Sequence, residues 1–175
     1  MTHRICKPET FRNHPDQWAL QRLLQQLFKV PDTGEITRQV TDFLQHHPLP
    51  ADDFPLIPGT YTRTILLREK NRFEAMAARW SKGSVSAIHG HPSFTLYYVV
   101  SGHLACDNFT RSGSGVKKVS SGTLSPSEFT VFTGQPGTFD NHIHQVRALE
   151  DTLSIHISSD DAAKGEIFSP ERMVQ

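Results

Sequence analysis

The chain has 175 residues, a length that suits one domain better than two. Eighteen Lys and Arg side chains balance eighteen Asp and Glu side chains, so there is no net positive charge with which to hold a nucleic-acid backbone. No apolar run approaches the roughly 18 residues that a bilayer-spanning helix needs, and the first residues lack the apolar core of a signal peptide. We therefore expect a cytoplasmic protein that binds neither nucleic acid nor membranes.

Two short helices are predicted in the N-terminal segment, residues 1–58. Apolar residues recur at spacings of three and four from His14 to Val30 and again from Glu35 to His46, as on the buried stripe of a helix. Asp32 or Thr33 is placed to cap the second helix, because both side chains accept hydrogen bonds from unpaired backbone N–H groups. Several prolines after the second helix predict a rigid, non-helical crossing.

After Gly59 the sequence changes to short runs of β-forming residues separated by turn residues. Residues 59–160 are predicted to form a β-barrel, with a hairpin turn at Asn71 and a C-terminal tail at residues 161–175. The predicted strands are Thr60–Arg68, Arg72–Trp80, Ser84–His89, Phe94–Ser101, His103–Thr110, Gly115–Val119, Glu128–Phe132 and His142–Ser158, the last interrupted around Leu149–Thr152. Short strands of this number predict a mainly β fold, a double-stranded β-helix (jelly roll), in a single domain of residues 1–175 with the two helices packed outside.

The histidines are placed unevenly, and one pair lies in the segment SAIHGHPSF. His89 and His91 are two residues apart, so on an extended strand both side chains project from the same face. Histidine is the commonest protein ligand of metal ions. We interpret the pair as metal ligands, although a single H-x-H pair is more typical of exposed loop residues and further ligands are required.

A second histidine pair follows a turn further along the chain. Gly134, Pro136 and Gly137 favour a turn, and His142 and His144 then share one face of the next strand. Either histidine can complete a three-histidine site with the first pair, so the residues alone leave the third ligand open.

This pattern resembles the cupin superfamily, whose first motif is H-x-H with a downstream glycine and whose second is a Pro-Gly turn leading to a third histidine. The matching residues are His89, His91, Gly102, Gly134, Pro136, Gly137 and His144. Most metal-binding cupins add a glutamate after the second histidine, and here the corresponding positions are Thr95 and Leu96. A three-histidine site without a carboxylate is similar to that of the cysteine dioxygenases, the thiol dioxygenase branch of the superfamily. The segment His144-Gln-Val is similar to the third-ligand strand of that branch, which favours His144 over His142.

Three further segments extend this resemblance. Tyr61-Thr-Arg63 is similar to the Tyr-Thr-Arg strand of cysteine dioxygenases, Trp80 matches a tryptophan of that family, and Ser154-Ile-His156 is similar to its Ser-Leu-His segment. The resemblance implies that Arg63 binds the substrate carboxylate and that Tyr61 offers its hydroxyl to the same pocket. It also implies that Ser154 and His156 form a hydrogen-bonded relay next to the metal.

The chain departs from that family at the end of the relay. Cysteine dioxygenases have a tyrosine two residues after the relay histidine, and this chain has Ser158 there. Mammalian members cross-link that tyrosine to a cysteine shortly after the second ligand, and this chain has no cysteine in that turn. Cys106 lies in the following strand and is interpreted as a structural thiol.

The resemblance implies an Fe(II) cofactor and a dioxygenase that converts a small thiol carrying a carboxylate to its sulfinic acid with O₂. Cysteine and 3-mercaptopropionate are thiols of this type. Two alternatives stay open: a cupin metalloenzyme of another reaction type, and a non-catalytic cupin that binds a metal or a small molecule. The residues also allow other interpretations, in which Arg63 is a strand arginine paired with Glu69 or Glu74 and His156 is a hydrogen-bonded core histidine.

Overall fold

The computed structural model describes residues 14–29, 32–69 and 72–170 of the chain. The predicted end of the first helix at Val30 and the predicted turn at Asn71 lie outside these ranges. Within them, no helix combines the length and the apolar character needed to span a lipid bilayer.

Two α-helices come first, α1 (Pro15–Leu27) and α2 (Thr33–His46). The Asp32 side chain accepts a hydrogen bond of 3.0 Å from the backbone N–H of Glu35, so Asp32 is the cap of α2. The apolar stripes of both helices pack against the outer face of a β-sheet and bury Leu20, Leu24, Leu27, Ile36, Val40 and Leu44. The prediction that the two helices pack outside the β-structure is confirmed.

Ten strands are present in the described residues. They are β1 (Tyr61–Glu69), β2 (Phe73–Trp80), β3 (Ile88–His91), β4 (Phe94–Ser101), β5 (Leu104–Ser112), β6 (Gly115–Leu124), β7 (Phe129–Thr133), β8 (Asn141–Ala148), β9 (Thr152–Ser158) and β10 (Ile167–Phe168).

The strands form two five-stranded sheets, in the orders β1-β2-β9-β4-β7 and β10-β3-β8-β5-β6, and every pair within them is antiparallel. In each sheet a late strand lies between two early ones: β9 between β2 and β4, and β8 between β3 and β5. Such interleaving of antiparallel strands in two facing sheets is the topology of a jelly roll. The predicted double-stranded β-helix is therefore confirmed.

The apolar core is divided among separate clusters. The largest joins the helices to the outer face of the first sheet, and Phe28 stacks there on Phe73 with 4.7 Å between ring centroids. Inside the sandwich the apolar residues form two smaller clusters, one around Trp80 and Val146 and the other around Ile88. The interior also buries histidine, serine and arginine side chains, which is typical of a binding site rather than of a purely structural core.

The largest differences between the structure and the sequence prediction are at three strands. β3 begins at Ile88 rather than Ser84. The backbone N–H of Ser86 donates to the carbonyl oxygen of Val146, but the backbone N–H of Val146 donates to the hydroxyl of Ser86, so the regular backbone ladder is interrupted there. β6 continues to Leu124, since it pairs with β5 along its whole length. β10 lies within the predicted tail and pairs with β3.

Candidate metal centre

Three histidines from two neighbouring strands of the second sheet meet inside the sandwich. His89 on β3 is directly opposite His144 on β8, and His91 follows two residues later on β3. One ring nitrogen of each histidine lies within 4.8 Å of those of the other two, and the Nε2 atoms of His91 and His144 are 3.0 Å apart. Metal–nitrogen bonds of about 2.0–2.1 Å place ligand atoms about 3–4 Å apart. The three nitrogens can therefore share one metal ion after a small adjustment of the rings.

Between the two histidines of β3, the backbone of Gly90 lies close to the backbone of the turn before β8. A Cβ atom on Gly90 would lie 2.6 Å from both the carbonyl oxygen of Phe139 and the Cα of Asp140, so only glycine fits there. Next to it, Asn141 donates a side-chain hydrogen bond of 3.2 Å to the carbonyl oxygen of His91. The side-chain oxygen Oδ1 of Asn141 accepts from the backbone N–H of Gln135 at 2.8 Å, which ties the turn before β8 to the metal-binding strand.

Hydrogen bonding and burial favour the neutral form of the histidines, with a nitrogen lone pair directed inward. Nδ1 of His89 lies 2.9 Å from the carbonyl oxygen of Ala87, and because a carbonyl only accepts, this nitrogen donates and Nε2 keeps its lone pair. Burial lowers the pKa of His91 and of His144 well below the usual value for imidazole, with smaller contributions from neighbouring histidines. Neutral imidazole is the form that binds metal ions.

A chain of hydrogen bonds runs behind the site through Trp80, Ser154 and His156. The Trp80 indole Nε1 donates to Ser154 Oγ at 2.9 Å, and Ser154 Oγ lies 2.7 Å from Nε2 of His156. An indole N–H only donates, so the serine accepts from Trp80, and its own proton is available to Nε2 of His156. In the tautomer with an unprotonated Nε2, Nδ1 of His156 carries the ring proton. Burial first, and then the positive charge of Arg63, lowers the pKa of His156 to about 3, so this ring is a neutral donor.

Arg63 is buried on β1 and already has a partner. Its Nη2 donates to Oε1 of Glu74 at 3.1 Å, and its Nε lies 3.0 Å from the sulfur of Met76. Glu74 is 1% exposed and also accepts from the guanidinium of Arg68 at 2.6 Å. Since two guanidinium groups share one carboxylate, Glu74 by itself does not neutralise both.

A cavity of about 120 Å³ brings the predicted residues together. Its lining includes Tyr61, Arg63, His89, His91, His144 and His156. Tyr61 stacks on Trp80 with 4.1 Å between ring centroids, and burial raises the pKa of its hydroxyl. Ser154 lies behind His156 and acts on the cavity only through that ring.

Tyr97 on β4 is a site residue that the sequence analysis did not identify. Its hydroxyl lies 2.7 Å from Nε2 of His91 and 3.3 Å from Nε2 of His144, and its ring is 5% exposed. It stands in a run of apolar and aromatic residues that predicts only a buried strand. Alternation along β4 could have pointed to Tyr97, because side chains of a strand alternate between its two faces. Thr95 and Tyr97 therefore lie on the face opposite that of Tyr98.

His142 lies beside the three-histidine cluster without joining it. Its ring centroid is 4.9 Å from that of His144, and it stacks on Phe132. Its Nε2 is buried and has no hydrogen-bond partner within residues 14–29, 32–69 and 72–170, and its backbone has a positive φ of 44°. Burial lowers the pKa of this ring to about 4. A second cavity, of about 160 Å³, lies on this side of the cluster, and its lining combines apolar residues such as Leu104 and Leu124 with the polar side chains of Asn108 and His142.

Ser158, which stands in place of the relay tyrosine of cysteine dioxygenases, and Cys106, which was interpreted as a structural thiol, both lie in the described part of the chain. Ser158 is buried, lines the first cavity and lies 3.5 Å from Thr95 through their hydroxyl oxygens. Cys106 is half-buried beside the Val146 cluster, and burial raises the pKa of its thiol to about 11. A thiol that stays protonated is a poor nucleophile, which agrees with a structural role.

Neither protein-family models nor curated proteins give a match to this sequence. Among solved structures, a cupin superfamily protein from Desulfitobacterium hafniense DCB-2 is 16% identical, with 65% of this chain and 89% of that chain covered and a TM-score of 0.49. A conserved protein with a double-stranded β-helix domain from Klebsiella pneumoniae is 15% identical, with 71% and 91% covered and a TM-score of 0.49. KdgF from Halomonas sp. is 25% identical, with 68% and 86% covered and a TM-score of 0.41. The assignment of the fold itself rests on the strand order of the two sheets.

Proposed function

We propose that the chain is an Fe(II)-dependent thiol dioxygenase that oxidises a small carboxylate-bearing thiol, of the cysteine or 3-mercaptopropionate type, to its sulfinic acid. The observation that carries this proposal is that Arg63 and the histidines of the metal centre line one small cavity. A cavity with a fixed positive charge at one wall and a metal centre at another suits a ligand with a carboxylate at one end and a metal-binding atom at the other.

The overall reaction is RSH + O₂ → RSO₂H. Two S–O bonds form, the sulfur loses four electrons, and the two oxygen atoms of O₂ take them up, so no external reductant is needed. The thiol proton leaves when the sulfinic acid ionises. Bound Fe(II) would supply a positive centre that favours the thiolate and a position at which O₂ can react, and the three neutral imidazoles leave its charge undiminished.

Arg63 and Tyr61 orient the substrate in this proposal. A guanidinium group binds a carboxylate through two parallel hydrogen bonds and does not lose its charge. Because Arg63 is buried and braced by Glu74, the fork is held in place before the substrate arrives. The Tyr61 hydroxyl lines the same cavity and is protonated, so it can donate to the same carboxylate.

His156 provides a neutral hydrogen-bond donor at the cavity wall. In the proposed tautomer Ser154 donates to Nε2 of His156, and Nδ1–H is then the donor available to the ligand. A donor with a pKa of about 3 stays uncharged throughout the neutral range, so it can orient an anionic ligand without competing with the metal for it.

The decisive experiment combines metal analysis with O₂ consumption. Protein purified without added metal is assayed for bound iron, and the iron-loaded protein is then offered cysteine, 3-mercaptopropionate and cysteamine, a thiol without a carboxylate. We expect uptake of O₂ with the carboxylated thiols and formation of the sulfinic acid. Absence of O₂ uptake with every carboxylated thiol, in protein that holds iron, overturns the proposal.

The Arg63→Ala variant tests the substrate class. Loss of the charge-assisted fork is expected to lower kcat/KM for cysteine by about 10- to 100-fold and to leave the slower turnover of cysteamine nearly unchanged. Arg147→Ala is the matched control, because Arg147 is an exposed arginine on β8. An equal loss for both thiols, at an unchanged melting temperature, shows that Arg63 does not bind the carboxylate.

The contact between Arg63 and Glu74 favours a second candidate function, a non-catalytic cupin that binds a metal or a small molecule. If this ion pair only stabilises the sheet, the metal centre needs no carboxylated substrate. Metal ions would then raise the melting temperature, since they bind only the folded state, but no thiol would be consumed. A cupin metalloenzyme of another reaction type is distinguished in the same assays by turnover of substrates other than thiols.

A further inference from the structure

The second cavity, of about 160 Å³, borders the metal centre at His144, but Arg63 is not part of its lining. We propose that this cavity takes up small, uncharged molecules of low polarity and that it is the route by which O₂ reaches the metal centre. The identity of the molecule rests on the proposed function, whereas uptake into the cavity depends neither on iron nor on a thiol.

The cavity opens to the surface at the unpaired edges of the two sheets. In the described part of the chain, β6 and β7 are the outermost strands of their sheets, and neither is paired with the other. Gly122 of β6 is exposed at the rim and Phe132 of β7 is half-buried, whereas Leu104 and Val146 are only 2% and 3% exposed. The lining therefore runs from an accessible rim to a buried floor, as the lining of an entrance does.

Gly122 leaves this entrance open. It is directly opposite Cys106 in the pairing of β5 with β6, so a side chain at this position would project from the same face as Cys106, which lines the cavity. A Cβ atom on Gly122 would have nothing within 4 Å, and Gly122 is not among the glycines with a positive φ. Neither the backbone conformation nor a close contact requires glycine here. The missing side chain keeps the space free, and a larger residue would fill it.

The two cavities differ in charge. Arg63 lines the first cavity, whereas no Asp, Glu, Lys or Arg side chain of the described residues lines the second. Asn108, a polar residue of this lining, already donates a hydrogen bond of 3.0 Å to Ser120 Oγ. A carboxylate that enters such a space loses its hydration and finds no opposite charge. An uncharged, apolar molecule has no such cost, and apolar cavities of about 150 Å³ take up xenon.

One layer of side chains separates the two cavities. Tyr97, His144, Val146 and His156 line both of them, and His144 belongs to the three-histidine cluster. A diatomic molecule in the second cavity needs only small side-chain movements to cross this layer. A thiol acid that spans from Arg63 to the metal centre occupies the first cavity, and O₂ that arrives from the second does not have to displace it.

The test locates dissolved O₂ in the metal-free full chain, without any thiol. O₂ is paramagnetic, so it speeds the nuclear relaxation of the methyl groups that it approaches. In protein equilibrated with O₂ rather than N₂, we expect this enhancement to be several times larger at Leu104 and Val146 than at Leu20 and Leu24. All four are at most 3% exposed, but Leu20 and Leu24 lie in the helix-side core. Equal enhancement at the two places overturns the proposal.

The Gly122→Leu variant tests the route. Leucine fills the entrance, so the enhancement at Leu104 should disappear, and in iron-loaded protein kcat/KM for O₂ should fall about 10-fold while anaerobic thiol binding is unchanged. Ser121→Leu is the matched control, because Ser121 is the exposed neighbour of Gly122 on β6 and its side chain lies on the other face. An unchanged kcat/KM for O₂ in a variant whose cavity no longer admits O₂ overturns the route.

The outcomes distinguish this proposal from the proposed function. If O₂ gathers at Leu104 but iron-loaded protein oxidises no thiol, the thiol reaction fails and the uptake of small apolar molecules by the second cavity stands. If thiols are oxidised but O₂ does not gather there, the second cavity is not the route and the proposed function stands. If Gly122→Leu does not fold, the comparison of Leu104 with Leu20 in the unaltered protein decides.

Discussion

At the scale of single residues, the buried donors and acceptors around His156 depend on one another. Trp80 has only a donor, the hydroxyl of Ser154 accepts from it, and the same hydroxyl is hydrogen-bonded to Nε2 of His156. All three side chains are buried, so water does not replace a missing partner without reorganisation. The orientation of His156 towards the cavity is therefore a property of the chain of hydrogen bonds and not of the histidine alone.

We predict that Ser154→Ala destabilises the protein by about 2 kcal/mol, because it leaves an indole N–H and an imidazole nitrogen buried without partners. Urea denaturation followed by tryptophan fluorescence measures the loss. Ser120→Ala, on the exposed part of β6, is the control and should change the stability by less than about 0.5 kcal/mol. Equal stability of the two variants would mean that Ser154 does not link Trp80 to His156.

The residues of the candidate site differ in how well the sequence predicts them. The pairs His89/His91 and His142/His144 are predictable because the period of two along a strand places alternate side chains on one face. The choice of His144 over His142 came from the resemblance to the third-ligand strand of cysteine dioxygenases. Tyr97 was missed because a tyrosine in an apolar strand is usually a core residue, and only the facing sheet reveals what its hydroxyl touches. The partner of Arg63 stayed open between Glu69 and Glu74, and the register of β1 with β2 selects Glu74.

At the scale of elements, β3 is a strand of four residues that carries two of the three histidines. It is held by β8 on one side and by β10 on the other, and its ladder with β8 is irregular between His89 and His91. Gly90 lies at that irregularity, against the backbone of residues 139–140. The separation of the two imidazoles therefore depends on how closely this strand approaches the turn before β8.

We predict that Gly90→Ala weakens metal binding at least about tenfold and lowers stability by about 1–3 kcal/mol. The added methyl group meets backbone atoms, which cannot rotate away as a side chain can. Isothermal titration with Zn²⁺ and thermal unfolding measure the two effects. The matched control is Gly122→Ala on β6, where a Cβ has nothing within 4 Å. Unchanged zinc affinity in Gly90→Ala would show that β3 adjusts without moving its ligands.

Long-range pairing explains which elements the sequence predicts well. β4 is predicted with its observed bounds because it is apolar throughout and ends at a glycine turn. The second half of β6 is rich in serine and glycine, so its strand structure follows from pairing with β5 and not from its own preference. β10 is too short to give a signal and exists because it pairs with β3.

At the scale of the whole molecule, the interior of the sandwich buries several histidines in the neutral state. Burial lowers the pKa of His156 from its usual 6.5 to about 3, and it lowers the pKa values of His91 and His144 as well. In the unfolded chain these rings are exposed and titrate near 6.5. The folded state therefore binds fewer protons than the unfolded state at mildly acidic pH, and the difference is a source of instability on acidification.

We predict that the metal-free protein loses stability as the pH falls below about 6.5, before the carboxylates begin to titrate at about pH 4–5. The sign follows from the direction of the shift: a histidine with a depressed folded pKa contributes its full stability above the unfolded pKa and loses it as the pH falls. Each such histidine contributes a slope approaching about 1.4 kcal/mol per pH unit below that point. Urea denaturation between pH 5 and 7.5 measures the total slope. His156→Gln should reduce this slope by the contribution of one histidine, because the folded state then excludes one proton fewer. His46→Gln, at an exposed position of α2, should leave the slope nearly unchanged. A free energy of unfolding that stays constant across this range would contradict the burial of neutral imidazoles between the two sheets.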